Sequence, residues 1–142
     1  MYFVVGNVEV LSDVQCRAML ATTRVGRVAV TTDALPVIAP VNYVLDGNSI
    51  VFRTRPGGML ARACDNAVIA FGIDELAADG SHGWSVNVVG IASLLAPSEQ
   101  LRALSRGLVS AAGDDAQQFV RLRIGVVTGR RIASSGVATS AV

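Results

Sequence analysis

The segment from Phe52 to Arg62 contains residue types that bind anions. A predicted strand ends at Thr54, the pair Gly57-Gly58 follows, and a short helix is predicted from Met59 to about Cys64. Free backbone N–H groups at the start of a helix attract anions, and glycines let an anion approach closely. The segment could add a hydroxyl donor and positive charge through Thr54, Arg53, Arg55 and Arg62. The alternative interpretation is a Pro-Gly-Gly turn with solvated arginines.

Histidine, cysteine and serine chemistry is not supported by the spacing of these residues. His82 is the single histidine and lies in a Gly/Ser-rich stretch, so the usual kinds of zinc site are excluded. Cys16 and Cys64 each lie in an apolar stretch typical of a helix, which predicts buried free thiols instead of a disulfide. Ser81 and Ser85 lack the context of a nucleophilic serine. We therefore predict neither a catalytic side chain nor a metal site.

Composition limits the classes of partner. The chain has 142 residues and a net charge of +1, with acidic and basic residues interspersed, whereas a nucleic-acid-binding surface needs a basic stripe. All twelve basic residues are arginine, so an anion must be held by guanidinium or backbone N–H groups. No apolar run approaches the roughly 20 residues of a membrane span. Because the N-terminus lacks a basic region typical of signal peptides, we expect a cytoplasmic protein.

Strand signals dominate the chain after a first short helix. Ser12 and Gln15 form a predicted capping box for that helix, which should bury Val14 and Met19. Asp46-Gly47-Asn48 predicts a hairpin turn, Pro40 an edge or bulge, and Gly90 a bend or bulge. A further helix is predicted over 99–109 and a loop over 110–117. The predicted strands span 27–32, 37–45, 49–54, 67–73, 84–95, 119–124 and 126–131.

These elements predict one small antiparallel barrel of about six strands with short peripheral helices. Hairpins and the lack of regular strand–helix alternation argue against a parallel sheet. We expect the barrel domain to span residues 1–132. Residues 133–142 are small and polar, and they predict a flexible C-terminal tail. Val- and Ala-rich strands leave more apolar surface than one barrel covers, so we also expect a homodimer.

Several segments, in their order and spacing, resemble the pyridoxamine 5'-phosphate oxidase-like group of flavin-binding split-barrel proteins, specifically its short actinobacterial-type members. The resemblance covers roughly residues 11–132. The matching segments are Val25-Gly26-Arg27-Val28-Ala29-Val30, Pro40-Val41-Asn42-Tyr43, Ile50-Val51-Phe52-Arg53-Thr54 with Gly57, Val68-Ile69-Ala70-Phe71, Gly83-Trp84-Ser85-Val86, Gly90-Ile91-Ala92 and Thr128-Gly129-Arg130-Arg131-Ile132.

The resemblance implies a six-stranded Greek-key split barrel that dimerises, with FMN in grooves at the subunit interface. Carried onto this chain, it assigns the FMN phosphate to Arg53, Thr54, Gly57 and Gly58. Val41 and Asn42 match the strand that lines the isoalloxazine ring. Trp84 is expected in the barrel core or the dimer interface.

Two departures weaken the implied flavin site. Met59 stands where the family has a lysine that binds the phosphate, and residues 109–113 lack the tryptophan common in that region of the family. Three functions therefore stay open. The first is an FMN-dependent oxidoreductase that transfers hydride to a small molecule. The second is a cofactor-poor binding module with a degenerate site, and the third is a deazaflavin or haem binder.

Overall fold

A computed structural model describes residues 2–108 and 118–139. Among them, no helix is long and apolar enough to cross a membrane. The described elements, in chain order, are β1 (Tyr2–Val10), α1 (Asp13–Leu20), β2 (Val25–Thr32), β3 (Leu35–Asp46), β4 (Ser49–Thr54), α2 (Met59–Ala63), β5 (Ala67–Leu76), β6 (Gly83–Leu94), α3 (Pro97–Ser105) and β7 (Gln118–Thr139).

Six strands close into a ring. The sheet order is β1-β7-β4-β3-β2-β5-β6, and β6 also pairs with β7. Every pairing is antiparallel. The ring therefore contains β2 to β7, which confirms the predicted six-stranded antiparallel barrel, and β1 is an additional strand attached to β7.

The barrel core comes from the alternation of side chains along each strand. In β2, Gly26, Val28 and Val30 are buried while their neighbours are exposed. The helix α1 begins at the predicted capping box of Ser12 and Gln15. It buries Cys16 and Leu20 against this core, and Met19 is partly buried there.

Three local predictions have clear outcomes. Gly47 has a φ of +58° in the predicted hairpin turn. Pro40 lies where β3 pairs with β2 alone, because β4 joins β3 only from Tyr43 onward, so the predicted edge position is confirmed. The predicted burial of Val14 is wrong, since its side chain is 77% exposed on α1.

Strand β7 is longer than the sequence patterns indicate. It runs without a break through Gly125 and continues to Thr139, where it pairs with β1. The predicted flexible tail from residue 133 is therefore a strand as far as residue 139, and residues 140–142 lie outside the described part. Ladder hydrogen bonds join backbone groups, so small side chains do not prevent pairing. The predicted loop over 110–117 also lies outside the described residues.

A second, smaller core lies under α3 on the outer face of the barrel. It contains Val44 of β3, Val51 of β4 and Phe119 of β7, together with Leu95, Ala103 and Leu108. The helix itself is Pro97–Ser105, shorter than predicted, and Val109 lies outside the described residues.

A buried carboxylate fastens α3 to the sheet. The side chain of Asp46, at the end of β3, is only 6% exposed. Its oxygens lie 3.0 Å from Arg102 Nε, 3.4 Å from Arg106 Nε and 3.5 Å from Arg121 Nη2. Arg121 also contacts Glu99 of α3 at 2.6 Å. We call Asp46 and these three arginines the Asp46 cluster.

Gly90 is required by a close approach between strands. The register of β6 against β7 shifts between Val89 and Gly90, which confirms the predicted bulge. A Cβ at position 90 would lie 1.8 Å from the carbonyl oxygen of Arg123. Since this neighbour is backbone, the strands would have to move apart.

We therefore expect Gly90→Ala to lower the free energy of unfolding by about 2 kcal/mol or more. The matched control is Asn87→Ala, on an exposed position of the same strand, which should change stability by about 0.5 kcal/mol or less. Urea unfolding followed by tryptophan fluorescence measures both. Equal stability of the Gly90→Ala variant and the parent would contradict the close approach.

Candidate functional site

Arg53 and Asn42 project from the outer face of the barrel. Tyr43 pairs with Phe52, and both of these side chains are buried in the main core. Because successive side chains in a strand point to opposite faces, the next residues, Asn42 and Arg53, point outward. Asn42 is exposed and also pairs with Val25 of β2. The sheet register thus brings together two residues predicted to bind a flavin.

The guanidinium of Arg53 has donors without partners. Arg53 pairs across the sheet with Phe119, and its Cζ lies 4.7 Å from the centroid of that ring. Nε and Nη1 are buried, and neither has a hydrogen-bond partner among the described residues. Burial lowers the pKa of Arg53, but arginine stays protonated at neutral pH. Two unsatisfied cationic donors at a half-buried position are suited to an oxyanion such as phosphate.

One backbone donor of the glycine turn is already used within the turn. The Gly58 N–H donates to the Arg55 carbonyl at 3.2 Å, so this group is already used within the turn. Helix α2 has five residues and no side-chain cap, so its dipole adds little to an anion site. Gly57 has a φ of +66° with open space where a Cβ would be. Its contribution is an unobstructed approach to the turn.

Three other predicted site residues do not face outward beside Arg53. Val41 is buried in the main core, so only its backbone is available to a ligand at the outer face. Thr54 follows Arg53 and points to the opposite face, where it is half-buried. Met59 is partly buried and packs against the main core. An apolar contact therefore occupies the position where the family has its lysine.

A groove runs along the outer face beside Asn42, whose partner across the sheet, Val25, is one of its lining residues. A cleft of about 230 Å³ is lined by Val25, Arg27 and Pro40 together with Gly72 and Asp74. A second cleft of about 210 Å³ shares Arg27 and Asp74 and extends to Ile38. Arg27 Nη1 and Asp74 Oδ2 are 3.7 Å apart, an exposed ion pair between the two clefts. The second cleft has the more apolar walls, and apolar walls with a few polar groups are typical of small-ligand sites.

The outer face also carries exposed apolar side chains. Cross-strand pairing places Val89 of β6 next to Val126 of β7, and Val68 of β5 next to Ile91 of β6. Ile38 of β3 is separated from β5 by the intervening strand β2. We call these five residues the outer apolar patch; each is at least 42% exposed. Such a patch is unusual for surface that stays in water.

The cysteines and His82 remain outside this site. Cys16 and Cys64 are buried and unpaired, as predicted, and burial raises the pKa of Cys64 to about 11. Because the reactive form is the thiolate, this thiol is unreactive at neutral pH. His82 is exposed, with Nδ1 3.0 Å from Ser81 Oγ. No group of three potential metal ligands occurs among residues 2–108 and 118–139.

Two aromatic residues, Trp84 and Phe119, pack against the two cores. Trp84 is half-buried and packs against the main core, as expected of a core position. Phe119 is the residue that sequence reasoning missed at the site. Its place in a predicted strand was evident, but its contact with Arg53 depends on the pairing of β4 with β7, which no local pattern indicates.

The chain is similar to one protein family in sequence and to two FAD-binding proteins in fold. Residues 12–131 match the model of the protein family described as pyridoxamine 5'-phosphate oxidase. The uncharacterised protein Rv0080 of Mycobacterium tuberculosis is 32% identical over 119 residues, covering 80% of this chain and 78% of its own.

Two solved structures extend the comparison. The FAD binding protein from Mycobacterium smegmatis superposes with a TM-score of 0.73 at 29% identity, over 87% of this chain and 97% of its own. A FAD-binding protein from Mesorhizobium loti gives a TM-score of 0.75 at 26% identity, over 92% and 100%.

Proposed function

The chain belongs to the pyridoxamine 5'-phosphate oxidase family, and from this premise we propose that it binds a flavin nucleotide at Arg53 and acts as an oxidoreductase. The observation that carries the proposal is the pair of buried donors on Arg53 that lack partners. Two relatives of similar fold are named as FAD-binding proteins, which supports a flavin. FMN is the proposed cofactor because a single phosphate would satisfy Arg53.

The residues divide into two roles in this proposal. Arg53 holds the phosphate, and Asn42 with the groove beside Pro40 receives the ring. A bound flavin supplies hydride transfer to a small-molecule substrate, so no acid or base side chain is required. The protein contributes the orientation of the flavin. Val41 and Gly57 contribute backbone only.

The apolar packing of Met59 favours a second candidate function. A site without the family lysine loses a charge-assisted hydrogen bond, and the chain would then be a cofactor-poor binding module with the same fold. In this case flavin affinity would be low in the parent protein and insensitive to Arg53. The two functions are separable by titration.

We expect Arg53→Gln to weaken FMN binding by about tenfold or more, because a charge-assisted bond contributes about 1.5–3 kcal/mol. Riboflavin, which lacks the phosphate, should bind the variant and the parent alike. Flavin fluorescence titration measures both ligands. Arg130→Gln removes the same charge at an exposed position of β7 and is the matched control. An unchanged FMN affinity in Arg53→Gln would exclude Arg53 as the phosphate ligand.

The second prediction concerns Met59. Met59→Lys should tighten FMN binding by about tenfold, roughly 1.4 kcal/mol, and the gain should shrink at high salt. The lysine stem can keep the packing of the methionine stem if its amine reaches solvent. Met59→Leu is the apolar control and should leave FMN affinity unchanged. Equal gains for FMN and riboflavin would show that position 59 is not at the phosphate.

Absorption spectra of the isolated protein distinguish flavin from haem or deazaflavin.

We also propose that a second copy of the chain covers the outer apolar patch. A monomer would leave its five large apolar side chains in water, and a two-fold contact places the same patch of each copy against the other. The groove beside Pro40 lies on the same face, since Ile38 belongs to both the patch and the groove. A dimer would therefore shield the flavin from water.

Light scattering during size exclusion at low micromolar concentration should report a dimer for the parent. Val126→Asp should shift it towards monomer, because each copy would bury a carboxylate at the contact. Val14→Asp introduces the same charge at the exposed position on α1 and should leave the dimer intact. A monomeric parent would overturn the proposed dimer.

A further inference from the structure

A depression crosses the outer face of the barrel between Ile38 and Val89. Ile38 of β3 pairs with Ala29 of β2, and Val89 of β6 pairs with Ala70 of β5. Ala29 and Ala70 also pair with each other, so two small side chains separate two large ones that are 70% and 42% exposed. This depression contains the second cleft of the groove, with a volume of about 210 Å³ and with Ala29, Ile38 and Ala70 in its lining. We call it the Ala70 cleft.

One end of the Ala70 cleft is polar. The next row of outward-facing residues contains Arg27 of β2, Gly72 of β5 and Asn87 of β6, which pair across the sheet. Gly72 has no side chain, and a Cβ there would lie 2.9 Å from Asn87 Oδ1. The row therefore has a gap between the guanidinium and the amide. Asp74 also lines the cleft at this end, so a ligand in the cleft could reach three polar side chains.

Arg27 and Asp74 present opposite charges side by side. Arg27 Nη1 and Asp74 Oδ2 are 3.7 Å apart, which is longer than a hydrogen bond, so their donors and acceptors remain able to bind a ligand. Because the two charges balance, neither an anion nor a cation is favoured. An amide fits both groups, since its carbonyl oxygen would accept from the guanidinium and its N–H would donate to the carboxylate.

The other walls of the Ala70 cleft suit a small apolar body. Ala29, Ile38 and Ala70 have no polar side-chain atoms, and apolar area removed from water contributes to affinity. A protein cavity of about 150 Å³ can hold benzene. A cleft of about 210 Å³ therefore has room for one ring with a small substituent.

We propose that the Ala70 cleft binds the small-molecule substrate and that this substrate is a neutral amide with an apolar ring or short chain, an inference that rests on the proposed flavin site. The cleft beside Pro40, which is proposed to receive the flavin ring, is also lined by Arg27 and Asp74. The ion pair is therefore common to both clefts. An amide bound to it would lie beside the ring, with its apolar body over Ala70.

Three probes of similar size and different charge test the proposal: benzamide is neutral, benzoate is anionic and benzylammonium is cationic. In calorimetric titrations of the FMN-loaded parent, benzamide should bind about fivefold more tightly than either ion. Asp74→Asn leaves the guanidinium without its counter-charge and should shift the preference towards benzoate by about fivefold. Arg27→Gln should shift it towards benzylammonium by a similar factor, because the carboxylate is then unbalanced.

Matched controls separate the cleft from general charge effects. Glu75→Gln and Arg130→Gln remove the same charges at exposed positions that do not line the cleft, and they should leave the order of the three probes unchanged. Ala70→Leu fills the cleft without changing charge. It should weaken all three probes by about tenfold and keep FMN affinity within twofold of the parent.

The proposal is overturned if benzamide does not bind the parent, if either ion binds as tightly as benzamide, or if Ala70→Leu leaves benzamide affinity unchanged. If Ala70→Leu does not fold, the opposite shifts in Asp74→Asn and Arg27→Gln decide, and their absence rejects the cleft. Failure of the flavin site is recognised separately, because the parent then binds no FMN. The same titrations of the flavin-free protein then decide: a preference for benzamide with both shifts supports the cleft, and no benzamide binding rejects it.

Discussion

The site and the packing of α3 both depend on the pairing of β7 with β4. This pairing places Val120 and Leu122 in the barrel core and directs the alternate residues outward. Of these, Phe119 contacts the Arg53 guanidinium and Arg121 contacts the Asp46 carboxylate. One register thus sets the position of a candidate ligand-binding cation and the attachment of the helix above it. A slip by one residue would turn both side chains into the core.

The basic residues of the chain are all arginine, so its positive charges are carried by planar guanidinium groups. Such groups can stack on an aromatic ring or share a carboxylate. The Asp46 cluster uses three of them around one buried carboxylate, and there the arginines have a structural role. Arg53 differs because its contact is with a ring, which leaves Nε and Nη1 unsatisfied. The same residue type therefore serves packing at one place and leaves donors for a ligand at the other.

Local chemistry explains which parts of the fold were predictable from the sequence. The capping box at Ser12, the turn at Gly47 and the bulge at Gly90 depend on neighbouring residues, and each was found in the predicted place. The extension of β7 to residue 139 depends on pairing with β1, at the other end of the chain. Small residues carry no alternation there, so the sequence indicated a tail.

The candidate site also combines features that local sequence patterns indicate with features that depend on tertiary contacts. Alternation along β4 places Arg53 and Thr54 on opposite faces. The resemblance, which matched Val41 to the strand that lines the ring, did not show that the Val41 side chain faces the core. The packing of Met59 and the contact of Phe119 with Arg53 are tertiary, and neither has a sequence signal. Resemblance to a family pointed to the segment that contains Arg53, whereas the free donors of Arg53 became evident only from burial and hydrogen bonding.

The outer face of the barrel is divided, and Arg53 lies at the division. Helix α3 covers Val44, Val51 and Phe119, while the outer apolar patch beyond Pro40 carries no helix among the described residues. Under the helix, donors would be closed off from a ligand, and in the open part they would be satisfied by water. At the border a guanidinium can be buried enough to lose its water and still be reached by a ligand. That position gives a single arginine more effect on an anion than a fully solvated one would have.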